Sequence, residues 1–232
     1  MKNLALCSEA MPQGVLSALV FRGYDVITLP AHPALPEPVA SHADMVTAVL
    51  DNAVFFDKIY GEAYPHLTSA LRGRGVDVVV LDECIGGEYP RDVLLNVLIG
   101  RNFAIGHGRS SQTLREALSA SRGFIAVKQG YAACSTLLAR GALVSADRGI
   151  IRAASAYCDT LTVSPGHIAL PPYDTGFIGG ASGVDDDTVY FVGDVRSHPD
   201  GERIVSHLAS HGADAVSLAG GQLVDVGGIK FL

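Results

Sequence analysis

The sequence of 232 residues lacks tryptophan, has only four cysteines and has no long uninterrupted apolar run. A membrane-spanning helix needs about 20 apolar residues in a row. The apolar residues here come in short runs broken by Gly, Asp and Arg, so no membrane partner is expected. The cysteines are Cys7, Cys84, Cys134 and Cys158. Their spacing contains no CxxC pair, which argues against a zinc knuckle or a redox pair.

Clusters of basic residues and nucleotide-binding motifs are also missing. The net charge is −7, and no Lys/Arg run indicates a phosphate-binding surface, so nucleic acid is not an expected partner. No GxGxxG follows a first strand and no P-loop is present, so no cofactor is expected. No metal site is expected either, because no pairing that suggests one exists among His107, His167, His207 and His211.

The N-terminal segment does not resemble a signal peptide. Its apolar run, Leu4-Ala5-Leu6-Cys7, is short, and Glu9 follows too early. A cytoplasmic location is therefore expected, and the four cysteines of a cytosolic protein are expected to be free thiols. Hydrophobic residues make up 48% of the chain, which is enough for a core, and we expect a single domain over residues 1–232.

An internal repeat organises the sequence. Four segments each predict an extended run, a hairpin turn, a second apolar strand, a helix and a third strand. Each hairpin contains Asn, Asp or Gly, which tolerate the positive φ that such turns need. The four extended runs are His42–Leu50, Val93–Ile99, Ala132–Leu138 and Gly176–Gly183.

A fifth copy of the unit is split between the two ends of the chain. Residues 222–230 supply a first strand, and residues 4–29 supply a second strand, a helix and a third strand. Pairing of the two ends would close a ring and remove two exposed sheet edges. We therefore predict an α/β fold of five repeats, with an open α/β sheet as the alternative.

Three segments resemble the pentein fold of guanidino-group modifying enzymes, a five-bladed α/β propeller with pseudo-fivefold repeats. They are Lys128–Ser135, Gly176–Gly183 and Val224–Ile229. The resemblance in repeat plan covers the whole chain. It implies an amidinohydrolase- or amidinotransferase-like activity, in which acidic residues grip a guanidinium while a Cys and a His perform the chemistry.

The C-terminal segment departs from the family pattern. Agmatine-deiminase relatives carry Gly-Gly-Gly-Ile-His-Cys near the C-terminus, with the Cys as nucleophile. The comparable stretch here is Val226-Gly227-Gly228-Ile229-Lys230-Phe231, so Lys230 and Phe231 stand in place of His and Cys.

Candidate catalytic residues lie on the predicted first strands, which would line the ring's central channel. Cys134 is the candidate nucleophile, with a small buried apolar residue as the alternative interpretation. His42 and Asp44 form His-Ala-Asp, and alternation along a strand would place both side chains on one face, so Asp44 could orient His42. A solvated strand entrance is the alternative.

Candidate ligand-binding residues are two acids and four glycines. The acids could meet a cationic ligand, although one could be a turn residue and the other a structural hydrogen-bond acceptor. The glycines indicate either a narrow channel or a ligand against the backbone. In sequence order these residues are Asp174, Gly179, Gly180, Asp225, Gly227 and Gly228.

Two functions follow from these residues. The first is a site at the ring axis for a small guanidino or amino cation, with Cys134 and His42 as catalytic residues. The second is a non-catalytic ligand sensor or protein-binding module on the same fold, which the missing terminal His-Cys favours.

Overall fold

A computed structural model describes residues 3–232 of the chain. Met1 and Lys2, which the predicted domain includes, lie outside the described residues. The described chain has a mixed α/β fold with 17 strands and seven α-helices. Within this range, no helix combines the length and apolar character needed to cross a membrane.

The strands are short, at two to five residues each. In chain order they are β1 (Leu4–Ser8), β2 (Asp25–Leu29), β3 (Ala48–Leu50), β4 (Ala53–Phe56), β5 (Asp77–Val80), β6 (Leu98–Ile99), β7 (Phe103–His107), β8 (Gly123–Val127), β9 (Thr136–Ala139), β10 (Ala142–Ser145), β11 (Asp159–Thr162), β12 (Ile168–Ala169), β13 (Ser182–Asp185), β14 (Thr188–Phe191), β15 (Asp214–Ser217), β16 (Leu223–Val224) and β17 (Ile229–Phe231).

The helices mostly lie between the second and third strands of a repeat. In chain order they are α1 (Gln13–Phe21), α2 (Ala43–Val46), α3 (Lys58–Ala63), α4 (Pro65–Arg72), α5 (Gln112–Ser119), α6 (Arg148–Ala154) and α7 (Gly201–Ser210).

The strands form five groups of three with one plan, in which an antiparallel hairpin is followed by a parallel third strand. These groups are β3-β4-β5, β6-β7-β8, β9-β10-β11, β13-β14-β15 and β17-β1-β2. The last two groups share a six-stranded sheet because β13 pairs with β17. In the fifth group, β1 runs antiparallel to β17, with Leu6 opposite Lys230. The two ends of the described chain therefore meet in one sheet.

The four predicted hairpin turns are confirmed by antiparallel pairing of the strands on either side, and three of them contain residues with positive φ. Asp51 has φ of 53°, Asp186 has φ of 50°, and Arg140 and Gly141 have φ of 48° and 86°. Asp and Gly adopt this left-handed region at lower cost than most residues. Local sequence alone is sufficient to place these turns.

The predicted helices are present, with one correction. The helix predicted from about Gly201 to Ser210 matches α7. The helix predicted over Glu62–Leu71 is two helices, α3 and α4, because Pro65 starts a new helix at its N1 position.

The prediction for the first strand of each repeat is wrong in its first half. His42 precedes the helical turn α2, so His42 and Asp44 are not on a strand. Cys134 likewise lies in a turn, closed by Ser135 N donating to Tyr131 O at 2.9 Å, and β9 begins only at Thr136. Apolar runs at these positions have the composition of strands, but tertiary contacts hold them as turns.

Candidate functional site

The turns before the first strands meet at the centre of the molecule through hydrogen bonds between repeats. Asp44 N donates to Gly227 O at 3.0 Å, and Gly228 N donates to Gly180 O at 2.7 Å. Gly180 N donates to Cys134 O at 3.0 Å. The Nδ2 atom of Asn96 then bridges to Asp44 O at 2.8 Å. These bonds bring together turns from all five repeats.

Close packing accounts for the glycines at this centre. A Cβ on Gly180 would lie 2.0 Å from Asp225 Oδ1, and one on Gly179 would lie 2.2 Å from Ala133 O. A Cβ on Gly227 would lie 2.3 Å from the Cα and Cβ atoms of His42, and Gly227 also has φ of 79°. A Cβ on Gly228 would lie 2.8 Å from two carbonyl oxygens. Neighbouring segments are therefore sufficient to require glycine at all four positions.

Cys134 is buried and held by an amide that the sequence analysis did not single out. Asn96 Nδ2 donates to Cys134 Sγ at 2.8 Å, and the Oδ1 atom of Asn96 accepts from Ala133 N at 2.8 Å. Met45 Sδ lies 4.0 Å from the thiol. The sequence signal for Asn96 is a single polar residue inside the apolar run of residues 93–99.

The thiol of Cys134 is protonated at neutral pH. Burial is the main cause that raises its pKa well above the usual value, and the charges of Asp44 and Asp225 raise it further. The hydrogen bond from Asn96 acts in the opposite direction. A positive charge near the two carboxylates would counteract their effect, so the thiol is placed to respond to a bound cation.

His42 lies beside Asp225, rather than being oriented by Asp44. Its Nδ1 is 3.7 Å from Asp225 Oδ1, and both side chains are almost fully buried. Burial lowers the pKa of His42, against the opposing charge of Asp44, which keeps the imidazole neutral at pH 7. The predicted pairing on one strand face fails because His42 caps a helical turn, where residues two apart do not face each other.

Asp225 and Asp44 form a pair of buried acids whose negative charges are balanced by few hydrogen bonds and by no Lys or Arg of the described chain. Burial raises the pKa of Asp225 to about 7, helped by the charge of Asp44, although Gly227 N and Phe177 N donate to its carboxylate. Asp44 is 1% exposed, and neither of its carboxylate oxygens has a hydrogen-bond partner. Over residues 3–232, no Lys or Arg forms an ion pair with either acid.

A cavity of about 400 Å³ opens onto Asp225, whereas Asp44 is not among its lining residues. His42, Cys134 and Asp225 line it together. A third acid, Asp92, also lines it, accepts from Tyr131 Oη at 2.6 Å and keeps its Oδ1 buried without a partner. Aromatic side chains form much of the remaining wall, and these are Tyr89, Tyr131, Tyr173 and Phe177.

Two groups of residues from the sequence analysis lie elsewhere. Asp174 is exposed and does not line this cavity, although its neighbours Tyr173 and Thr175 do. Lys230 and Phe231 belong to β17 and line a different cavity of about 240 Å³. The two positions that the sequence comparison aligned with the family's His-Cys are therefore not in the cavity that holds Cys134 and His42.

A family model matches residues 6–230, which is nearly the whole chain, and its description is "Family of unknown function (DUF6873)". The chain belongs to this family. No curated protein sequence matches this DUF6873 member.

Solved structures show the fold. DDAH from Pseudomonas aeruginosa, a cysteine-to-serine mutant complexed with citrulline, covers 94% of this chain and 92% of its own, with 8% identity and a TM-score of 0.57. SxtG, an amidinotransferase from Microseira wollei, covers 93% and 88%, with 12% identity and a TM-score of 0.58. Unliganded AgrE covers 94% of this chain and 37% of its own, with 12% identity and a TM-score of 0.57. The DUF6873 member therefore has the pentein fold of guanidino-group modifying enzymes.

Proposed function

We propose that the central cavity binds a small guanidino or amino cation. The observation that carries this proposal is a pair of buried carboxylates that no Lys or Arg of the described chain neutralises, namely Asp225, which lines the cavity, and Asp44, which does not. A buried charge without a partner costs several kcal/mol, so a cationic ligand would relieve an unfavourable arrangement.

The cavity wall supports the same class of ligand. Tyr89 and Tyr131 have ring centroids 5.8 Å apart, and Tyr131 and Phe177 are stacked at 6.4 Å. Aromatic faces attract cations, and a planar guanidinium also stacks on them. The free Oδ1 of Asp92 adds an acceptor for an N–H group of the ligand.

The proposed chemistry uses Cys134 and His42. A cation bound at the acids lowers the pKa of the Cys134 thiol, which passes its proton to neutral His42 and attacks the central carbon of the guanidinium. The C–S bond forms, the protonated His42 gives a proton to the departing amine, and the C–N bond breaks. Water, or a second amine, then displaces the thiol. This sequence needs no cofactor.

We also propose that the five strand groups are blades of a five-bladed propeller. The single plan of the five groups supports this arrangement, as do the hydrogen bonds that connect their central turns and the pairing of β1 with β17. In a ring of this kind the turns before the first strands meet at the axis, where a ligand would contact all five repeats.

A non-catalytic binding protein on the same fold is the second candidate. Two observations favour it. Lys230 and Phe231, which the sequence comparison aligned with the family's His and Cys, lie outside the cavity, and no hydrogen bond of the described chain joins Cys134 Sγ to His42. This candidate shares the cation site and differs only in turnover.

A thermal-shift screen tests the cation site. The probes are arginine, agmatine, methylated arginines and creatine. A ligand at 100 times its Kd should stabilise the protein by about 2.7 kcal/mol and raise Tm by roughly 5–11 °C. Asp44→Asn should abolish the shift, whereas Asp186→Asn, an exposed turn residue, should leave it unchanged.

Turnover separates the two candidates. Release of ammonia or an alkylamine from a ligand that binds, lost in Cys134→Ser, supports the enzyme. Binding without release supports the sensor. A screen without any shift in the parent protein, or with equal shifts in Asp44→Asn, would refute the cation site itself.

A further inference from the structure

A second group of titratable side chains lies between α7 and β11 and does not line the central cavity. His207 and His211 are four residues apart at the C-terminal end of α7, and Asp159 begins β11. One ligating atom from each of the three lies within 4.8 Å of the other two. His211 Nε2 is 3.6 Å from Asp159 Oδ2, and the two imidazole centroids are 5.1 Å apart.

The hydrogen bonds of His211 fix which nitrogen is available. Its Nδ1 lies 3.0 Å from His207 O, and a carbonyl oxygen only accepts, so Nδ1 carries the proton. The hydroxyl of Ser210 also donates to His207 O, which leaves its Oγ to accept from the same Nδ1. The Nε2 of a neutral His211 therefore presents a lone pair beside the carboxylate of Asp159. Metal-binding histidines commonly use this arrangement, in which the other ring nitrogen donates to a carbonyl.

His207 provides an independent observation. Its Nε2 is shielded from solvent and has no hydrogen-bond partner among residues 3–232. A buried imidazole nitrogen without a partner is unfavourable, and coordination to a metal ion would satisfy it. A simple ion pair between a protonated His211 and Asp159 would explain the 3.6 Å contact but would leave His207 unsatisfied.

We propose that Asp159, His207 and His211 bind one transition-metal ion of the Zn²⁺ type. Two imidazole nitrogens and a carboxylate oxygen are ligands that Zn²⁺ and Co²⁺ accept, with water completing the coordination. The helix C-terminus favours a positive charge. Arg140 is the nearby opposing charge, but its Nε donates to His211 O at 3.2 Å, and the carboxylate of Asp159 compensates.

The site would connect two repeats. His207 and His211 belong to the helix that follows β14, whereas Asp159 belongs to the sheet β9-β10-β11. A bound metal ion would therefore cross-link the C-terminal end of α7 to the edge strand of the neighbouring sheet. This proposal is independent of the function proposed for the central cavity.

Metal titration of the full chain tests the site. The protein is used without an affinity tag, carries Cys84→Ser to remove the exposed thiol, and is first treated with EDTA. We expect one equivalent of Co²⁺ to produce visible ligand-field absorption, and Zn²⁺ at 100 times its Kd to raise Tm by roughly 5–11 °C.

Variants identify the ligands. His207→Gln and His211→Gln should abolish Co²⁺ absorption, and Asp159→Asn should weaken binding by at least about tenfold. His66→Gln, on the exposed face of α4, is the matched control and should bind like the parent. Asp159 is largely exposed, so Asp159→Asn keeps the test valid if a histidine variant does not fold. Absence of Co²⁺ absorption in the parent, or full absorption in His207→Gln and Asp159→Asn, would overturn the proposal.

Discussion

The charge state of two aspartates determines the properties of the central cavity. Asp225 accepts two backbone hydrogen bonds, which normally stabilise a carboxylate, yet burial and the charge of Asp44 raise its pKa to about 7. Asp44 has no such bonds. The free protein therefore reduces repulsion by keeping a proton on Asp225 below neutral pH, and a cation would replace that proton.

This arrangement predicts a decline in stability with rising pH. The pKa of Asp225 rises from 3.8 in the unfolded chain to about 7, so its favourable contribution is fully present below pH 4 and is lost as pH rises through 7. Asp44→Asn removes the neighbouring charge, lowers the pKa of Asp225 and should reduce the decline by about 1.4 kcal/mol per pKa unit. The decline is the difference between the free energies of unfolding that urea titrations give at pH 5 and at pH 8.5.

The control for this prediction is Asp186→Asn. Asp186 is exposed and has φ of 50°, a conformation that Asn also tolerates. The stability of the Asp186→Asn variant should therefore decline with pH as much as that of the parent protein. An equal decline in Asp44→Asn and the parent would mean that the two acids do not interact.

At the scale of elements, two helix caps of the same residue type differ in their surroundings. Asp147 caps α6 by accepting from Gly149 N and Ile150 N, and it is half-buried. Asp57 caps α3 but is fully buried, and its carboxylate also accepts from His32 Nε2 at 3.0 Å and Ile85 N at 2.9 Å. Burial opposes ionisation of Asp57, yet these hydrogen bonds outweigh it and lower its pKa.

The two caps should therefore differ in their contribution to stability. Asp147→Ala removes a cap and one hydrogen bond from the side chain of Gln129, and should cost about 1 kcal/mol. Asp57→Ala also leaves His32 and Ile85 N without their buried partner and should cost roughly 3–5 kcal/mol. Urea unfolding at pH 7 measures both. Equal losses would show that the contacts of Asp57 beyond its helix contribute nothing.

The boundary between turn and strand in each repeat illustrates where sequence patterns fail. Residues 42–47 and 132–135 are apolar enough to predict strands, but their backbone groups bond to other repeats or close local turns. The hairpins and helices were predictable because their determinants are local, such as the positive φ at Asp51 or the break before Pro65. The turns are set by partners in other parts of the chain, such as Gly227 for Asp44 and Gly180 for Cys134.

At the scale of the molecule, the centre is packed too tightly to accept side chains at its glycines. Gly180 contacts Asp225 so closely that Gly180→Ala would displace the carboxylate, and we expect a loss of roughly 1–3 kcal/mol or more together with loss of cation binding. Gly14, in α1, has open space around it. Gly14→Ala should stabilise the protein by less than about 1 kcal/mol.

Unfolding and ligand binding of the two alanine variants test this difference. Gly14→Ala should retain the cation-induced rise in Tm, which Gly180→Ala should lose. A Gly180→Ala protein with unchanged stability would contradict the close packing at the centre.

The sequence by itself determined the α/β class of fold and most of the helices and hairpins, because periodicity and turn chemistry act over a few residues. It also identified His42, Asp44, Cys134 and Asp225 as candidates. Only the tertiary structure decided which of these residues contact one another. It places Asp225 rather than Asp44 beside His42, and Asn96 within hydrogen-bond distance of the Cys134 thiol. It also places Asp159 beside His207 and His211 of another strand group. These pairings join distant parts of the chain, and burial, which sets the charges of the central groups, exists only once the repeats have assembled.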